Sequence, residues 1–292
     1  MKTTRPIYLF SKHNTLWASL LMLLVTGAVS AEMKSRYAKF DGIKVHYQTS
    51  GKGDSALIFV HGWTCDGDFW RGQTSAFPSL RVIAVDLPGH GQSDKPRAGY
   101  TMDYFARSIA AVMNDAKVKR AVLVGHSMGT PVVRQFYRLY PEKTLGLVIV
   151  DGALRLMFPK AAIDQLIGQL SSNYATAAPA MVDGMLTPIQ DARLKAEIRT
   201  AMLATPDYVA ISAMDGMADE KIYEKDIIKV PVLVVLAKSP FWGPDTETFL
   251  RSLAPTLEFH QWEGVSHFLM MEKPEEFNQT LQTFLSKYKL LK

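Results

Sequence analysis

One cysteine, Cys65, is all the thiol chemistry that a chain of 292 residues contains. No intrachain disulfide can form, so stability has to come from the core in any redox compartment. Long single-sign charge blocks, low-complexity tracts and fixed-period repeats are also missing, which excludes disordered, collagen-like and solenoid architectures. No cluster has metal-ligand spacing and no glycine-rich turn has the phosphate-loop pattern, so neither a metal nor a cofactor is expected. The most apolar stretch, LWASLLMLLVTGAV at residues 16–29, is short for a membrane span.

That stretch follows Lys2, Arg5, Lys12 and His13 and runs into Val29, Ser30 and Ala31. A charged, then apolar, then small-residue order predicts a signal peptide over residues 1–31, cleaved after Ala31. The expected location is secreted or periplasmic. An uncleaved anchor is the rival; no cysteine directly follows the run, which argues against a bacterial lipid anchor. Removing three basic residues and no acid lowers the formal charge from +5 to +2. No nucleic-acid footprint remains.

What the chain does have is 48% hydrophobic residues, enough for a sizeable core. Two strand-like runs flank Asp41-Gly42 and predict a hairpin. Short apolar runs then recur at residues 56–60, 81–86, 120–125 and 145–151, with helical spacing at 104–116 and 131–140. Buried strands alternating with helices predict an α/β fold: a mostly parallel twisted sheet covered on both faces. The alternation lapses over residues 152–226, rich in Ala, Met, Leu and Gln, and resumes at 230–237 and 257–262 before a helical tail. The expected layout is a core of residues 32–151 and 227–292, interrupted by a helical insertion at 152–226.

Gly125-His126-Ser127-Met128-Gly129 follows a strand and opens a helix. This is the G-x-S-x-G elbow in its required context, with Ser127 as the candidate nucleophile at the positive end of a helix. The alternative is an ordinary strand–helix turn. Upstream, a strand ends in His61-Gly62-Trp63, from which the Trp63 amide, with that of Met128, can face a developing oxyanion. The Trp63 indole is expected to line a pocket. His267, on a loop after the last strand, is the leading general base, with His61, His90 and His126 as competitors at the same sheet edge.

Together HGW, DLPGHGQSD (residues 86–94), GHSMG, GVSHF and EKPEEF resemble the α/β-hydrolase fold superfamily, in its cap-bearing, serine-esterase-like branch. The resemblance runs from the hairpin to the last helix and is weakest in the insertion, which corresponds to the cap. It implies Ser127 as nucleophile, His267 as base and the Trp63 and Met128 amides as oxyanion hole. Relatives with an aspartate nucleophile match poorly, because this elbow carries serine. The implied activity is cleavage of carboxylic esters or related acyl bonds. Carbon–carbon hydrolysis, lactone opening and cofactor-free peroxidase chemistry are alternatives within the same fold, and a weakly catalytic binder of small apolar ligands is a further one. The expected partner is a small apolar ester, met by a monomer or weak homo-oligomer.

The resemblance also exposes a gap. Most of the superfamily places an acid after the strand equivalent to residues 230–237, where this chain has Ala237, Lys238, Ser239 and Pro240. Asp151, at the end of the preceding strand, is the favoured substitute. Asp245 is the second candidate, with a helix N-cap as its bland alternative, and a dyad without acid is the third. Asp86 and Asp94 are read as structural, and Cys65 as a buried or pocket-wall residue. Met157, Met181, Met185, Met202, Met214 and Met217 are read as either an adaptable pocket lining or cap core.

Overall fold

Asp41 and Gly42 both adopt positive φ, 45° and 80°, which suits the tight turn of a twisted hairpin. They join β1 (Lys34–Phe40) to β2 (Ile43–Ser50), paired antiparallel. The computed structural model describes residues 1–4 and 32–291; most of the expected export segment, residues 5–31, lies outside the described residues. The remaining strands are β3 (Ser55–Val60), β4 (Val82–Val85), β5 (Arg120–His126), β6 (Thr144–Val150), β7 (Val232–Ala237) and β8 (Leu257–Trp262). They form one eight-stranded sheet in the order β1-β2-β4-β3-β5-β6-β7-β8. From β4 to β8 every neighbour is parallel.

The apolar runs become strands because both faces of the sheet are covered. β4 and β7 are buried at every position and β5 at all but its first. The helices are α1 (Arg71–Thr74), α2 (Met102–Asp115), α3 (Gly129–Leu139), α4 (Lys160–Ser172), α5 (Tyr174–Leu186), α6 (Ala192–Leu203), α7 (Asp207–Met217), α8 (Thr246–Leu253), α9 (Leu269–Glu272) and α10 (Pro274–Tyr288). α2 starts where the Thr101 hydroxyl accepts from the Tyr104 amide and buries Phe105, Ile109, Val112 and Met113. Such a cap contributes about 1 kcal/mol. α10 opens on Pro274 and buries Phe277, Leu281 and Phe284, a stripe at helical spacing.

Helices α4–α7 fall between β6 and β7 in the chain. The last of them is fastened to the sheet side by polar contacts. The Trp63 indole donates to Ala210 O at 2.7 Å, the Tyr208 hydroxyl to Lys95 O at 2.7 Å, and the Tyr100 amide to the Ser212 hydroxyl at 3.0 Å. β3 lies between β4 and β5, so the chain order reverses there. The crevice beyond the strand ends at such a reversal is where open α/β sheets bind ligands.

Candidate active site

At the end of β5 the chain bends sharply into α3. Ser127 carries the bend at φ 52°, a left-handed conformation that costs a non-glycine residue on the order of 1–3 kcal/mol. The turn is held by the Ser127 amide on Val150 O, 3.0 Å, and the Thr130 amide on Ser127 O, 2.9 Å. Its glycines are dictated by space. A Cβ on Gly125 would stand 2.4 Å from Gly129 O, and one on Gly129 would stand 2.5 Å from Val60 O. Met128, buried, is the residue from which α3 starts.

The loop after β3 is drawn against this bend at Gly62. A Cβ there would meet Ser127 Cβ at 3.1 Å and His126 Nδ1 at 3.0 Å. The neighbouring His61 shapes the loop: its Nδ1–H donates to Gly62 O at 2.8 Å and its Nε2 accepts from the Leu87 amide at 3.0 Å. Burial lowers the His61 pKa, consistent with a neutral ring that donates at one nitrogen and accepts at the other. Trp63 is among the residues lining the cavity, and its indole donates to α7.

Asp151 ends β6 with φ 42°, and its carboxylate is buried at 8% exposure. Burying an unpartnered charge costs several kcal/mol; here three donors offset it. Oδ2 accepts from His267 Nδ1 at 2.7 Å, and Oδ1 accepts from the Ala237 amide at 2.8 Å and the Trp242 indole at 3.1 Å. Thus the strand end that lacks an acid supplies a backbone donor to the acid of its neighbour. Gly152 completes the bend, since a Cβ would overlap Thr130 Oγ1 at 1.9 Å.

His267 follows the turn at Gly264, φ 70°, and is braced from two sides. The Ser266 amide donates to Glu272 Oε1 at 2.7 Å, and His126 Nε2–H donates to His267 O at 2.8 Å. With Nδ1 on Asp151, Nε2 is the nitrogen left to face Ser127, and both residues line one cavity. Among the described residues the Ser127 hydroxyl and Nε2 are not hydrogen-bonded. Such bonds are often open without substrate.

The other candidates are occupied elsewhere. Asp245 stands at the start of α8 without capping it, because its carboxylate takes two hydrogen bonds from Arg155, at 2.6 and 2.9 Å. That pairing holds its pKa below the usual carboxylate value. Asp86 accepts from His46, Gly67 and Gln92, and Asp94 from the Lys44 amide. Burial pushes the Cys65 thiol well up, which keeps it a weak nucleophile. His126, a competitor base on sequence grounds, is a buried brace for His267. Burial, with His267 beside it, drives its pKa well down.

Above Ser127 and His267 lies a cavity of about 230 Å³. Met157, Met181, Met185, Met202, Met214 and Met217 all line it, with Trp63, Phe158 and Phe241. Arg155 is the cation on its wall, already neutralised by Asp245. Among the described residues no group of His, Cys, Asp and Glu is placed to hold a metal ion, and no helix is long and apolar enough to cross a membrane.

Residues 55–188 match a family model described as alpha/beta hydrolase fold. The chain is 28% identical to a non-heme chloroperoxidase of Streptomyces lividans, over 84% of this chain and 97% of that protein. It is 35% identical to the dihydrolipoyllysine-residue acetyltransferase component of the acetoin cleaving system of Cupriavidus necator, over 43% of this chain and about a third (34%) of that protein. A solved N-acyl homoserine lactone degrading enzyme superposes with a TM-score of 0.72 at 26% identity, covering 85% of this chain and 100% of its own. With the reversed strand order and the glycine-flanked bend at Ser127, these likenesses show that the chain has the α/β-hydrolase fold.

Proposed function

We propose that this protein is a serine carboxylesterase acting on small, uncharged esters with apolar acyl groups. The observation that carries the reading is that Ser127, on its strained bend, and His267, bonded to Asp151 behind it, line the same apolar cavity. In this mechanism His267 Nε2 takes the Ser127 proton as Oγ attacks the ester carbonyl. Asp151 stabilises the imidazolium through Nδ1. The Trp63 and Met128 amides receive the oxyanion, each donor contributing roughly 3–4 kcal/mol at sites of this kind. His267 then protonates the leaving alcohol, and water, activated by the same imidazole, releases the acid.

Two features favour uncharged substrates. The Arg155 guanidinium is engaged by Asp245, and the rest of the wall is mainly thioether, aromatic and aliphatic. An anionic substrate would lose its hydration without gaining a partner. Flexible methionines suit acyl groups of varied shape. We further propose that residues 1–31 direct the chain to the periplasm or outside the cell and are removed, and that the mature protein works as a monomer or weak oligomer.

A fluorophosphonate probe tests the core of the reading: it should label Ser127, and Ser127→Ala should abolish both labelling and aryl-ester turnover. Unlabelled, folded protein would favour a ligand binder. Parallel assays with an aryl ester, a lactone, a diketone and peroxide separate the chemistries this fold supports. N-terminal sequencing of exported protein should begin at Glu32.

A further inference from the structure

The loop at residues 239–245 stands where an acid is missing, yet it reaches both the acid and the cavity wall. Phe241 lines the cavity and packs edge-on against Phe158, with ring centroids 5.5 Å apart. Trp242 packs edge-on against Phe241 at 4.9 Å and donates its indole N–H to Asp151 Oδ1 at 3.1 Å. A carboxylate bonded to an imidazole through one oxygen can still turn about its Cβ–Cγ bond. Fixing its plane needs the second oxygen held as well. The Ala237 amide holds Oδ1 from the strand, and the indole holds it from the loop.

Resting on the reading of Asp151 as the acid, we infer that Trp242 is a positioning residue that sets the carboxylate plane and ties it to the aromatic wall met by substrate. The indole N–H draws charge toward Oδ1. Without it, more charge rests on Oδ2, the imidazolium is held more tightly, and Oδ1 keeps only the Ala237 amide to fix the carboxylate plane. A tryptophan that merely packs the loop has neither consequence.

Trp242→Phe keeps the ring against Phe241 and removes the donor. With 4-nitrophenyl acetate, kcat is expected to fall roughly tenfold, the scale of one hydrogen bond to a charged group, with KM little changed. The acid limb of the kcat/KM profile should move to higher pH, and the His267 Nδ1 proton resonance should be displaced. In an Asp151→Asn background the same substitution should cost nothing further. Trp242→Tyr serves if the phenylalanine variant folds poorly. Equal losses in both backgrounds, or a lower Tm with an unmoved pH profile and resonance, would overturn the inference. Full activity of Asp151→Asn alone would remove the reading of the acid itself, an outcome visible before Trp242 is touched.

Discussion

Arg155 grips Asp245 through two hydrogen bonds, at 2.6 and 2.9 Å, and so commits that carboxylate to the loop before α4 instead of to His267. Asp151 has the imidazole. Asp151→Asn should therefore lower kcat/KM for an aryl ester by roughly 10⁴-fold, the cost of misorienting the histidine in a serine triad. Asp245→Asn, which breaks an exposed pair, should leave turnover nearly unchanged. Steady-state assays on the two folded variants decide it; the opposite ranking refutes the assignment.

The glycines of the bend are a separate matter from chemistry. Gly125→Ala would drive a methyl group to within 2.4 Å of a main-chain oxygen on α3, and backbone cannot swing aside as a side chain can. The expected cost is roughly 1–3 kcal/mol of stability, read as a lower Tm, together with loss of fluorophosphonate labelling as Ser127 is displaced. Gly168→Ala is the control, because a Cβ there meets nothing within 4 Å and α4 gains a better helix former.

How far the sequence could be read follows from which contacts are local. Continuous apolar runs bounded by turn residues marked the strands, and the elbow pattern located Ser127, because strand, turn and helix there are contiguous. The helical character of residues 152–226 was equally visible in its spacing. The choice between Asp151 and Asp245 was not local. It depends on β6 and β7 being neighbours, so that the end of one faces the amide of the other, and on Arg155 lying in reach of Asp245. The N-cap that was the alternative for Asp245 gives way to that ion pair for the same reason. His126 looked like a competitor for His267 because sequence showed only that it sits at the right edge. Its brace role needs the loop after β8 folded over it.

Three histidines held in the interior make stability pH-dependent. Burial pushes His90 down to about 3 and also lowers His61 and His126. An imidazole whose folded pKa lies below its ordinary 6.5 binds its proton mainly on unfolding. Its contribution is intact above about pH 6.5 and is lost as pH falls toward 3. Asp66, pushed up to about 6, acts in the opposite sense: its folded-state penalty is relieved on acidification. His90→Asn isolates one imidazole. The gap in urea midpoint between wild type and variant should narrow from pH 7 to pH 4, and a constant gap would show that His90 does not titrate on unfolding.

The methionine wall makes a prediction about substrate size that the triad does not. All six thioethers border a space of only about 230 Å³, so acyl groups longer than that space accepts must be housed by side chains moving aside. Methionine, unbranched with three rotatable bonds, does this at little cost. Met217→Trp places a rigid, larger group there. An acetyl ester, which sits close to Ser127, should keep its kcat/KM, while a hexanoyl ester should lose at least tenfold, chiefly through KM, because ground state and transition state lose the same contacts. Equal losses for both esters would mean that Met217 supports the packing of α7 and that the acyl group lies elsewhere in the cavity.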